Sequence, residues 1–125
     1  MEKIAHSGPA KPIGPYSTAI EIEGFLFVSG QIPLKEDGSL LTGDIEKEAE
    51  LVLENIRKVL SACKYTLDDV VKSTIFLKDM GDFPRVNEVY GRYFQPPYPA
   101  RSTVEVANLP RSAKIEIEVI AYKER

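Results

Sequence analysis

Apolar positions recur along the chain with two different periods, and the switches between them mark its elements. In "STAIEIEGFLFVSGQIP", beginning at Ser17, they alternate. This predicts strands over 17–23 and 25–30, joined by a turn at Glu23-Gly24. From 45 to 63 the period lengthens. Ile45, Ala49, Val52, Leu53, Ile56, Val59, Leu60 and Cys63 share one helical face. Asp44 is the expected N-cap, and Glu46 and Glu48 suit the positive end of the helix. "VVKSTIFLK", 70–78, is β-branched and apolar, as a central strand requires.

Helical spacing returns over 83–94, with Asp82 as expected cap, Pro84 in the first turn, and a stripe of Phe83, Val86, Tyr90, Tyr93 and Phe94. Asn87 falls about 40° from Phe83 on a helical wheel, inside that stripe, so a buried amide is expected. "QPPYP" ends the helix. Strands over 101–107 and 114–122 follow, joined by "NLPRS", and Val104 and Val106 are expected inside. Residues 7–16, "SGPAKPIGPY", read as an extended, turn-rich lead-in, and "LKEDGSLLTGD" as a loop turning at Asp37-Gly38.

The order is therefore β-β-α-β-α-β-β, an α+β arrangement with two helices packed on one face of a sheet. The last strand sorts its residues cleanly. Ile115, Ile117, Val119 and Ala121 point one way; Glu116, Glu118, Ile120 and Tyr122 point the other. The first set suits a core beneath helices. The second mixes carboxylates with Ile and Tyr, and two helices cannot cover both faces. A further copy of the chain is the expected cover.

Composition narrows the chemistry. The length of 125 residues suits one domain, and a net charge of −3 with no basic cluster does not favour nucleic acid. No run reaches the roughly eighteen apolar residues of a membrane span, and the first residues lack a signal-peptide core, so a cytoplasmic protein is expected. Cys63 is the only cysteine and His6 the only histidine. No metal set, intrachain disulfide or His-centred triad can be assembled from them. No glycine run has the phosphate-binding spacing, so a flavin or nucleotide cofactor has no motif here.

What remains is Arg, Glu, Asp, Ser, Thr, Tyr, Asn and backbone groups. Arg101, after a proline-rich loop, offers a fork of donors matched to a carboxylate; the plainer reading is an ion pair with Glu105 or another glutamate. Glu116 and Glu118 share a strand face, where one could have a raised pKa, or both could serve interface ion pairs. Ser29 closes the "FLFVSG" strand, and Tyr16 follows Gly14-Pro15. Each of these, like Asn87, has a structural reading beside a functional one. Cys63 ends an apolar helix face and reads as a small core residue.

"IGPYS", "FVSGQIP", "VVKSTIFLKDMGDFPRVNEVYGRYF", "PARSTVEVANLP" and "KIEIEVIA" together resemble the RidA/YjgF/UK114 family of reactive-imine deaminases, in order over essentially the whole chain. "PARSTVEV" marks the subgroup with deaminase activity. The resemblance implies a single domain over 1–125 with a chorismate-mutase-like α+β fold, a mixed sheet under two helices. It implies a homotrimer with sites between subunits, and no cofactor or metal. It also implies hydrolysis of 2-iminobutanoate and 2-iminopropanoate to 2-oxo acids and ammonia. By the same resemblance Arg101 holds the substrate carboxylate, Glu116 attends the water, and Tyr16, Ser29, Gly30, Asn87 and Thr103 line the pocket. Thr103 stands where many relatives carry Cys, which argues that no thiol is needed. A trimeric metabolite-binding regulatory module without significant turnover is the alternative.

Overall fold

The computed structural model describes residues 1–9 and 11–124. Six strands form one sheet: β1 (Ile4–His6), β2 (Ala19–Ile22), β3 (Phe25–Gln31), β4 (Val70–Leu77), β5 (Ala100–Glu105) and β6 (Ile115–Tyr122). Two helices, α1 (Ile45–Ala62) and α2 (Phe83–Tyr93), complete the regular structure, with three short 3₁₀ turns between elements. The spatial order is β1-β2-β3-β6-β4-β5. Only β4 and β5 run parallel, because α2 carries the chain back over the sheet between them. The expected mixed sheet with two helices on one face is thus present.

Local chemistry explains most of the boundaries. Glu23 and Gly24 both take positive φ (51° and 87°), which makes the two-residue turn between β2 and β3. The Tyr65 hydroxyl donates to the Gly24 carbonyl at 3.0 Å and pins this hairpin from below. Asp44 caps α1, accepting from the Glu46 and Lys47 amides at 3.0 and 3.3 Å; such a cap contributes about 1 kcal/mol. Asp82 does not cap α2. Its backbone is already helical, and its carboxylate instead meets Arg85 at 2.7 Å. The side-chain cap sits a turn earlier, where Asp79 accepts from the Gly81 amide at 2.8 Å. Strand β1 was not expected: three residues are too few to show a period. It is held by pairing with β2 and by His6 against Glu21 at 3.1 Å.

The core lies between sheet and helices. Leu26 and Val28 of β3, Ile75 and Leu77 of β4, and Ile115, Ile117, Val119 and Ala121 of β6 meet Val52, Leu53, Ile56 and Leu60 of α1 and Val86 and Val89 of α2. Each fully buried Ile or Leu contributes about 1.5–3 kcal/mol. Cys63 is buried at the end of α1. The alternation expected in β6 holds at every position.

The opposite face stays open. Phe25, Phe27, Val104 and Tyr122 are about 40% exposed there. Val104 therefore departs from expectation, and Val106 lies past the end of β5 and is half-buried. The reason is the register: Val104 pairs with Phe76, placing it on the uncovered side.

Candidate functional site

The expected site residues fall into two groups on opposite faces of the sheet.

The first group lies at the β5 edge, under α2. Parallel pairing sets Arg101 beside Ser73 of β4, whose side chain points to the helix layer and is fully buried. Arg101 follows that direction. Its guanidinium carbon stands 4.8 Å from the centre of the Tyr90 ring and 5.5 Å from that of Phe83. The Tyr90 hydroxyl shares a 2.6 Å hydrogen bond with Ser73 Oγ. Burial raises the Tyr90 pKa, while the Ser73 hydrogen bond and the Arg101 charge pull it back.

The ion pair between Arg101 and Glu105 does not form. Glu105 accepts from the Met80 amide at 2.8 Å and so ties β5 to the turn that opens α2. Among the described residues Arg101 has no carboxylate partner at all. Thr103, two residues along the same strand face and paired with Ile75, buries its hydroxyl oxygen without a hydrogen-bond partner.

Asn87 is exposed, contrary to expectation. The buried arc of α2 comprises Val86, Val89 and Tyr90. Asn87 lies about 100° round from Val86, on the flank of that arc, one turn beyond Phe83. The stripe read from the sequence omitted Val89 and so was centred too far toward Phe83.

The second group forms where β3 meets β6. The pairing runs Val28 with Val119 and then Gln31 with Ile117, so β3 carries one residue more than β6. Ser29 and Gly30 occupy this bulge. Ser29 Oγ donates to the Ser17 carbonyl at 2.6 Å, and the Ser29 amide donates to the Thr18 carbonyl at 2.9 Å. These bonds dock the residue after Tyr16 onto the bulge. The Tyr16 ring itself is exposed. Gly30 is required by a close approach: a β-carbon there would overlap the Glu116 carboxylate. Glu116 is half-buried on the open face. Burial first, and the negative charge of Glu118 second, push its pKa above the usual carboxylate range.

Arg101 and Glu116 therefore do not meet within one chain. One lies on the helix side of edge strand β5, the other on the open side of β6, with β4 between them. Strand spacing and register set their backbones about 10 Å apart across the sheet and about 10 Å along it. Among the described residues no group of three or more His, Cys, Asp or Glu is placed to hold a metal ion, and no helix is long and apolar enough to cross a membrane. Phe83, Tyr90 and Ser73 were not expected to take part. The two aromatics read only as core stripe, although their spacing along α2 was visible.

The sheet order and the two helices on one face define a chorismate-mutase-like α+β protein. The family model described as Endoribonuclease L-PSP matches residues 7–123, and the chain belongs to this family, the RidA/YjgF/UK114 family. It is 52% identical to a RutC family protein of Pyrococcus horikoshii, over 98% of each chain. It is 43% identical to the 2-iminobutanoate/2-iminopropanoate deaminase of Dermatophagoides farinae, over 91% of this chain and 90% of that one. The crystal structure of Escherichia coli TdcF with bound serine superposes with a TM-score of 0.85 at 39% identity, covering 90% of this chain and 91% of that one.

Proposed function

We propose that this chain hydrolyses 2-imino acids, 2-iminobutanoate and 2-iminopropanoate, to 2-oxo acids and ammonia. The observation that carries the reading is Arg101: a half-buried guanidinium with no carboxylate partner among the described residues, held against two rings so that its donors remain free. Such a group suits a small carboxylate ligand. Family membership and the deaminase among its relatives support the same chemistry.

The site is assembled between copies, with the Arg101 flank of one subunit against the Glu116 bulge of the next in a homotrimer. The separation of the two groups within one chain supports this, as does the apolar open face. The substrate carboxylate sits on Arg101. Glu116, as carboxylate, accepts a proton from a water aimed at C2 of the protonated imine. The C–O bond forms as the C=N π pair moves to nitrogen, giving a carbinolamine. Glu116 returns its proton to the amine. The C–N pair then leaves with nitrogen as the hydroxyl gives its proton to the freed Glu116 carboxylate and closes the C=O bond. Ammonia and the 2-oxo acid depart, and the Glu116 proton passes to solvent. Ser29, Gly30, Thr103, Asn87 and Tyr16 shape the cavity around these atoms.

The test is ammonia release from 2-iminobutanoate made in situ by a threonine dehydratase, with wild type beside Arg101→Ala. Wild type accelerates hydrolysis, and the variant loses about 2–5 kcal/mol of transition-state binding. Tight 2-oxo acid binding by wild type without faster hydrolysis overturns the reading and makes the chain a metabolite-binding regulatory module.

A further inference from the structure

Arg101 raises a question that its proposed role as an anchor leaves unanswered. A carboxylate partner would occupy the fork that must receive the substrate, and among the described residues Arg101 has none, so something else must hold it. Glu105, four residues on along the same strand, accepts from the Met80 amide at 2.8 Å. The guanidinium carbon stands over two rings, Tyr90 at 4.8 Å and Phe83 at 5.5 Å.

Ring faces hold a guanidinium differently from carboxylates. Attraction to the π electrons needs no paired N–H···O bonds. The guanidinium carries five N–H donors, and a ring contact occupies fewer of them than a two-oxygen carboxylate pair does. Aromatic support therefore fixes the cation while leaving its donors free. The support is itself fixed. Tyr90 is buried, with its hydroxyl on Ser73 Oγ at 2.6 Å, and its ring rests on Phe94 with centres 4.5 Å apart. Ser73 is the residue that β4 pairs with Arg101, so one rung of the ladder sets both the cation and the ring beneath it.

Resting on the deaminase reading, we propose that Tyr90, locked by Ser73 and flanked by Phe83, is the positioning residue for carboxylate capture. It acts through Arg101 and touches no reacting atom.

The test measures imine hydrolysis and equilibrium binding of 2-oxobutanoate for wild type, Tyr90→Phe, Tyr90→Leu and Phe83→Leu, each with assembly and thermal stability recorded. Tyr90→Leu removes the ring face: KM and the 2-oxobutanoate Kd rise together about tenfold or more, while kcat at saturation falls less than threefold. Tyr90→Phe keeps the ring, loses the Ser73 bond, and recovers most of that binding even where its melting temperature stays low. Phe83→Leu, at the more distant ring, shows a smaller rise in the same two constants. If Tyr90→Leu does not fold, the Phe83→Leu result decides, and unchanged KM and Kd there overturn the proposal. Equal KM and Kd in wild type and a folded Tyr90→Leu also overturn it. So does a loss confined to kcat, or a binding loss in Tyr90→Phe as large as in Tyr90→Leu. A wild type that neither binds 2-oxobutanoate nor hydrolyses imine overturns the deaminase reading itself, and this assignment with it.

Discussion

Arg101 and Glu116 are half-buried charges on the sheet, neither with an ion-pair partner among the described residues, and the chain treats them in opposite ways. Arg101 is supported: two rings lie beneath it, and a buried hydroxyl pair fixes the nearer one. Glu116 is crowded: a glycine-permitted bulge closes over it and a second carboxylate stands two residues away. Support holds a cation in place with its donors open. Crowding makes an anion more basic. The first suits holding a carboxylate, and the second suits taking a proton from water. Placing them on opposite faces stops them neutralising each other in the free chain.

The largest effect comes from breaking the two halves in different chains. Arg101→Ala and Glu116→Gln, assayed separately, each lose catalysis, the latter by about 10²–10⁴-fold as for a removed general base. Unfolded and refolded together, the two variants would re-form the proposed homotrimer as mixed trimers in which some clefts draw Arg101 from one chain and Glu116 from the other. Random mixing restores about a quarter of the wild-type sites. Activity that stays at the level of the separate variants, with mixed assembly confirmed by mass, would show that both residues serve the same cleft from one chain.

Next in size is the bulge. The φ of Gly30 is one that other residues adopt, so its need for glycine comes from the Glu116 carboxylate and not from the backbone. Gly30→Ala drives that carboxylate aside. Because the displaced atoms end a flexible side chain, stability falls by only about 1 kcal/mol, the ordinary scale of a single substitution. Activity falls about tenfold or more, since misplacement by one ångström costs that much or greater. Comparing melting temperature with kcat/KM separates the two. A variant as active as wild type would mean that the Glu116 position is not critical.

How much of this was legible in the sequence differs between the two halves. The alternation of β6 placed Glu116 opposite the core, because a strand buried on one side has a strict period of two. Seeing that Gly30 makes room for it requires the register slip between Val28 and Gln31, and a bulge leaves no mark on hydrophobic periodicity. Arg101 was legible as a donor fork, but its surroundings were not. Tyr90 and Phe83 have the spacing of core residues, and nothing in that spacing says that one edge of the core is shared with a cation. Asn87 failed for a related reason. On an eleven-residue helix, omitting one valine from the stripe shifts its centre enough to move a flanking residue inside.

The smallest effect tests the crowding itself. Glu118 is exposed, two positions from Glu116 on the same strand face, and its charge is the second cause of the raised Glu116 pKa, after burial. In the proposed role of base, Glu116 works only when deprotonated, so kcat/KM falls on the acid side as pH drops through its pKa. Glu118→Gln removes a nearby negative charge and makes the Glu116 proton easier to lose. Its pKa falls toward the ordinary carboxylate value, and the acid limb of the profile moves to lower pH. At mildly acidic pH the variant therefore keeps a larger share of its own plateau rate than wild type keeps of its plateau. Protonation of the imine is common to both proteins and cancels in the comparison. The plateau falls slightly, because a less basic carboxylate is a weaker acceptor. Burial, the larger cause, is untouched, so the shift is partial, and added salt shrinks it by screening the exposed Glu118 charge in wild type. A limb that stays in place, or moves to higher pH, would mean that the group titrating there is not Glu116. The proton acceptor would then have to be sought on the Arg101 side of the cleft.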